Sequence, residues 1–193
     1  MHEVVVMIAQ GSEEIEALSV VNVLRRGNVD VVLMSIHDDK RIVGARNIVI
    51  EADVTFDETL IRNAKSIVLP GGVEGTEHLL HFEPLRRILK EIQETHLIGA
   101  ICAAPSILAD VGILDGKHAT SNPGYKEKVM AHPVLYSEET VVKDDRIITS
   151  RGMGTSLPFA LELLESLIGK DIRKEVEQGV VMGSLVDYIK AVY

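Results

Sequence analysis

Cysteine is almost absent from this chain: a single residue, Cys102, among 193. A lone thiol closes no intrachain disulfide, so a disulfide framework and a multi-cysteine zinc site are excluded, and a reducing compartment is the expected setting. Basic residues are in short supply too. Against 29 Asp and Glu stand 20 Lys and Arg, and the formal charge of −9 repels phosphate backbones over most of the surface, so no nucleic-acid partner is expected. Long apolar runs are missing as well. The opening "MHEVVVMIAQ" gives way at once to "GSEEIEAL", which has neither the length of a membrane span nor the basic leader of a secretory signal, and a cytoplasmic protein with no membrane partner is expected. Internal repeats, low-complexity tracts, a phosphate-cradling P-loop and Pro-rich or basic recognition tracts are all lacking.

What remains is a well-packed globular composition, with 46% hydrophobic and 25% charged residues. It reads as a single domain over residues 1–193, long enough to bury roughly 70% of the surface an unfolded chain would expose. Apolar runs of strand length fall at residues 4–9, 31–36, 66–69, 97–101 and 147–150. Their lack of alternation predicts strands buried on both faces. Helical periodicity occupies 14–26, 83–94, 105–109 and 155–168. Strand and helix in alternation predict an α/β fold with a mostly parallel sheet and helices on both sides. Two stretches, "SIHDDKRIVGARNIVIEADVTF" and "ETVVKDDRIITS", each carry an Asp-Asp pair between strand-like runs and predict hairpins at the sheet margin. The apolar stretch "GVVMGSLVDYIKAVY" predicts a closing helix that covers a partner surface.

Cys102 stands where the fourth of these five apolar runs, residues 97–101, turns into a helix through Ala103, Ala104 and Pro105. Ligands of open parallel sheets gather at the carboxyl ends of strands. Small neighbours permit the sharp strand-to-helix elbow that presents a nucleophile, and a helix start favours an anion, so a thiolate is expected at neutral pH.

Four motifs in register, "AQGSEEIEAL", "VLPGGVEGTEHL", "GAICAAPSIL" and "TSRGMGTSLPFALELLE", resemble the ThiJ/PfpI superfamily, in particular the branch of the parkinsonism-associated oxidative-stress protein and its bacterial ThiJ-like relatives. The resemblance implies a flavodoxin-like three-layer α/β/α sandwich with a nucleophile-elbow cysteine, and a homodimer. It implies that Cys102 is the reactive cysteine and that Glu16 donates a hydrogen bond to its sulfur. By the same likeness, backbone N–H groups of Gly71, Gly72 and Ala103 form an oxyanion hole, while Asn122, Arg151 and Gly152 lie close to the pocket.

Two departures set this chain apart. In protease-like and amidotransferase-like branches a histidine beside the cysteine acts as base, whereas position 103 is alanine. In the parkinsonism-associated branch a histidine commonly approaches from the loop aligned with "TSNPG", whereas this chain has Asn122. The site therefore lacks a histidine base unless His118 or another reaches it. His78 and His81 sit three apart on a helical pattern with no accompanying ligand motif, so no metal is expected.

A carboxyl beside a thiolate is expected to hold a proton. The resemblance implies a cofactor-free glyoxalase or deglycase acting on a small reactive carbonyl such as methylglyoxal. The alternative is a non-enzymatic redox sensor or holdase chaperone, switched when the cysteine is oxidised to sulfinate.

Overall fold

A strand with helices on both sides has no face left for water, which is why the Val, Ile and Leu runs of this chain become strands rather than amphipathic surfaces. The computed structural model describes residues 3–192. In chain order it begins β1 (Val4–Ile8), α1 (Glu14–Arg26), β2 (Val31–Ser35), β3 (Arg41–Val43), β4 (Val49–Glu51), β5 (Val54–Thr55) and α2 (Glu58–Asn63). The middle comprises β6 (Ser66–Leu69), α3 (Val73–Leu80), α4 (Glu83–Ile92), β7 (Leu97–Ile101), α5 (Pro105–Asp110), β8 (His118–Ala119) and α6 (Lys126–Met130). It closes with β9 (Leu135–Tyr136), β10 (Val141–Asp144), β11 (Ile147–Ser150), α7 (Ser156–Ile168), α8 (Lys170–Gly179) and α9 (Met182–Val192).

Among the described residues a seven-stranded sheet runs in the order β10-β11-β7-β6-β1-β2-β5. Only β10 is antiparallel to its neighbour; the remaining pairs are parallel. Because successive strand residues point to opposite faces, Val5 and Met7 pack with helices α2 to α6 on one side, and Val4, Val6 and Ile8 pack with α1, α7 and α8 on the other. The result is a three-layer α/β/α sandwich of the flavodoxin-like kind. Gly99 of β7 makes room for the second layer: a Cβ there would stand 3.0 Å from the ring of fully buried Phe159 on α7.

From β1 the chain moves outward to β2 and β5, then returns to the other side of β1 at β6 and continues to β7 and β11. That reversal leaves a crevice beyond the carboxyl ends of β1 and β6, where open α/β sheets collect ligands.

The hairpin expected at residues 139–150 forms at the sheet margin, with Asp145 taking the left-handed conformation (φ 53°) that closes its turn. The one expected around Asp38 and Asp39 is corrected. Among the described residues β3 and β4 pair only with each other, outside the main sheet, and their turn lies at Gly44 to Ile48. Asn47 supplies the positive φ (60°) there, while Asp39 Oδ1 instead accepts the Arg41 N–H and shapes the exit from β2. β5 alone joins the sheet, parallel to β2. The predicted closing helix corresponds to α9; its last residue, Tyr193, lies outside the described residues. Among the described residues no helix is long and apolar enough to cross a membrane.

Candidate active site

Four strand ends deliver the site. Glu16 follows β1, Gly71 and Gly72 follow β6, Cys102 follows β7 and Gly152 follows β11. Cys102 sits at φ 64°, a backbone region costly for a side chain with a Cβ. Two backbone bonds hold it there: its N–H donates to Ser150 O at 3.0 Å, and its carbonyl accepts the Asn122 N–H at 2.8 Å. The strain lifts the side chain off the end of β7 and leaves it half-buried rather than lost in the core.

Glu16 is in the first turn of α1 but does not serve as a surface charge for that helix. It is 1% exposed. Glu13, the N-cap, accepts the Glu16 N–H through Oε2 at 2.8 Å, and Glu16 turns inward so that its own Oε2 accepts the Gly71 N–H at 2.8 Å. Its Oε1 has no hydrogen-bond partner among the nitrogens and oxygens of the described residues; its neighbour is the Cys102 thiol. Gly71 must be glycine for these groups to meet, since a Cβ would stand 2.6 Å from Cys102 Cβ and 2.7 Å from Glu16 Oε2.

The N–H groups of Gly72 and Ala103 face the sulfur and favour its anion. Gly71, expected as a third donor, is corrected: its N–H is spent on Glu16. Arg151 is corrected as well. Its guanidinium donates outward to the Glu138 carbonyl and does not line the pocket. Gly152 (φ 156°) faces the sulfur instead, held by Thr155 Oγ1, which accepts the Gly152 N–H at 3.0 Å. A Cβ on Gly152 would lie 3.4 Å from Asn122 Nδ2 and 3.8 Å from both Cys102 Sγ and Glu16 Oε1. Three functional atoms thus surround one space that glycine leaves open.

Burial is the main influence on both titrating groups. It pushes the Cys102 thiol up to about 12, helped by the Glu16 charge and hydrogen bond and opposed by the Gly72 and Ala103 N–H groups. It raises Glu16 to about 7, against the Gly71 N–H and the thiol, which lower it. The low thiol pKa expected from the elbow is therefore reversed, because a six-residue helix start is outweighed by desolvation and a carboxylate neighbour. Between these two values the pair holds a single proton. Thiol with carboxylate and thiolate with carboxyl are its two arrangements.

The sulfur opens into a cavity of about 300 Å³ lined by, among others, Arg46, Gly72, Val73, Ala103, Asn122 and Tyr125. Arg46 and Tyr125 had no signal in the motifs, since one arrives on the β3–β4 turn and the other just ahead of α6. No described histidine lines this cavity. His118 is exposed and pairs with Asp144, and His78 Nδ1 bonds the Gln10 carbonyl at 2.9 Å, edge-on to His37. Among the described residues no group of three or more His, Cys, Asp or Glu is placed to hold a metal ion.

A family model described as the DJ-1/PfpI family matches residues 2–166. Protein DJ-1alpha of Drosophila melanogaster is 38% identical over 179 residues, covering 91% of this chain and 82% of that protein. A Caenorhabditis elegans protein named glutathione-independent glyoxalase DJR-1.2 is 34% identical over 165 residues, covering 84% and 86%. The crystal structure of Drosophila melanogaster DJ-1beta superposes with a TM-score of 0.89 at 34% identity, covering 94% of this chain and 98% of that one.

Proposed function

This chain belongs to the DJ-1/PfpI family, and from that premise we propose that it is a cofactor-independent glyoxalase acting on 2-oxoaldehydes such as methylglyoxal, with a related deglycase action on early glycation adducts. The observation that carries the reading is the convergence of Cys102 Sγ and Glu16 Oε1 on one open space beside Gly152, in a family with a relative named as a glutathione-independent glyoxalase.

With its pKa raised to about 7, Glu16 is poised to take and return protons at neutral pH. Its carboxylate takes the thiol proton as Sγ bonds to the aldehyde carbon. The carbonyl electron pair moves onto oxygen, where the Gly72 and Ala103 N–H groups hold it. Glu16 then passes its proton to the ketone oxygen, removes the hydrogen of the sulfur-bearing carbon as a proton, and returns it to the neighbouring carbon. The sulfur-bearing carbon is left as a thioester. Water cleaves the C–S bond, releasing a 2-hydroxy acid and restoring the thiol. One substrate carbon is oxidised as its neighbour is reduced, so no external electron acceptor enters.

Lactate formation from methylglyoxal by freshly reduced protein tests this, with Cys102→Ser as the control. Turnover in the wild type and none in the variant is expected. A wild type no faster than Cys102→Ser ends the enzyme reading. It would favour the second reading, a redox sensor or holdase chaperone, which rests on the half-buried lone thiol and the N–H groups suited to a sulfinate.

The same reading includes a two-fold homodimer in the cytoplasm. Its support is an exposed apolar groove of about 330 Å³ lined by Ile15, Leu18, Ile48 and Leu157, with Glu14 at its edge.

A further inference from the structure

Asn122 is tied to the reactive residue by its backbone, since its N–H donates to the Cys102 carbonyl at 2.8 Å. Its side-chain oxygen is also committed: Oδ1 accepts the Gly124 N–H at 3.0 Å. That bond decides which end of the amide points where. With Oδ1 turned to Gly124, the NH₂ group is directed into the cavity, at 3.4 Å from the point that a Gly152 Cβ would occupy, with Cys102 Sγ and Glu16 Oε1 each 3.8 Å from the same point. Among the described residues Nδ2 donates to no protein group, although Asn122 is only half-exposed.

An asparagine held by four hydrogen bonds, one through Oδ1, one through its backbone N–H and two through its carbonyl, loses little freedom when a ligand engages its free end. It is also neutral at every pH of interest. A histidine in this place would exchange protons with Glu16 and titrate near neutrality, whereas an amide only donates.

We propose that Asn122 Nδ2 is a donor to the oxyanion that forms when Cys102 adds to a carbonyl, completing with Gly72 and Ala103 a three-sided cradle around that oxygen. The substrate class, a 2-oxoaldehyde, rests on the glyoxalase reading above; the donor role is shared by any carbonyl that adds to this sulfur. In the addition the S–C bond forms, the carbonyl π pair becomes the oxyanion lone pair, and the thiol proton passes to Glu16. Asn122 donates a hydrogen bond to that oxygen throughout and gives up no proton.

The test separates binding from turnover. The reduced protein is titrated with 1,1,1-trifluoroacetone, which forms a hemithioketal with a thiol but has no aldehydic hydrogen to shift, and adduct is read by ¹⁹F NMR. Wild type forms an adduct that Cys102→Ser does not. Asn122→Ala weakens it by about 10-fold or more, and Asn122→Asp, which keeps the shape and the Gly124 bond but replaces the donor with a negative acceptor, weakens it further. In methylglyoxal turnover, Asn122→Ala lowers kcat by about 10- to 100-fold, near or below the usual loss for one oxyanion donor because two remain, while KM changes little. If the adduct depends on Asn122 but the wild type makes no lactate, the glyoxalase reading fails and the donor role stands. If the wild type makes lactate and both Asn122 variants match it in kcat and in adduct affinity, or if the wild type forms no Cys102 adduct, the donor role is wrong.

Discussion

Cys102 and Glu16 share a proton, and that arrangement has a measurable signature. Loss of the first proton from the pair occurs near 7 and of the second near 12. Iodoacetamide labelling of the sole cysteine is therefore expected to rise with a midpoint near 7, level off, and rise again only in strong alkali. Glu16→Gln should abolish the lower step; a single wild-type midpoint close to the ordinary thiol value of about 8.5 would contradict a shared proton. Glu16 also affects stability, and the sign follows from its raised pKa. A carboxyl held protonated by the fold is ionised earlier in the unfolded chain, so its support is present below the ordinary value of 4.5 and lost as pH rises through about 7. Above that, the buried charge costs on the order of 3 kcal/mol. Urea denaturation should find Glu16→Gln more stable than wild type at pH 8 and nearly equal to it at pH 4; equal stability at both would remove this account. Cys102 was legible at its strand-to-helix elbow, and Glu16, Gly72, Ala103 and Gly152 through the motifs that carry the family resemblance, whereas Arg46 and Tyr125, which line the same pocket, were not. Nor were the electrostatics of the site. The directions of the Gly71 N–H and the Arg151 guanidinium, and the depth at which Glu16 is buried, depend on neighbours more than fifty positions away along the chain in the first case, which no local pattern encodes.

At the level of elements, β7, the strand that ends at the reactive elbow, packs closely on α7. Gly99 on the strand accepts the ring of Phe159, which is fully buried, and Leu163 flanks the same spot. Phe159→Ala should destabilise the protein by about 3–5 kcal/mol, measured by denaturant unfolding, because the cavity lies between two rigid layers that collapse poorly. A loss below about 1 kcal/mol would mean that the layers do relax into it. The long elements were legible because a continuous apolar run or a 3.6-residue period leaves one way to bury the chain. The short ones were not. α2, α6, β8 and β9 are six residues or fewer, too brief for a period to show, and they take their form from what they pack against. The turn of the β3–β4 hairpin was misplaced for a related reason: Asp-Asp and Gly-Ala-Arg-Asn are both turn-compatible, and the choice fell to the Glu14 carboxylate, which accepts the Arg46 N–H at 2.7 Å and anchors the second of them.

For the whole molecule, the groove beside α1 predicts association. Ile15 is 49% exposed, Leu18 40% and Ile48 53%, more apolar surface in one place than a solitary soluble protein needs. Light scattering should give twice the 21.2 kDa chain mass across the micromolar range, and Ile15→Asp with Leu18→Asp should return the monomer; a wild type that is monomeric throughout, or a charged variant that stays dimeric, would rule this face out. The borders of the central sheet bear on how copies can meet. At one border β5 is two residues long, and at the other Asp144 of β10 accepts the His118 N–H, so the β8 segment lies against it. A strand from another molecule would find a two-residue stub on one side and, on the other, β8 lying beside Asp144, features that discourage growth sheet by sheet. Fibril seeding by this protein should accordingly require prior unfolding at a sheet edge, and native preparations should remain clear on storage while partly unfolded ones gel.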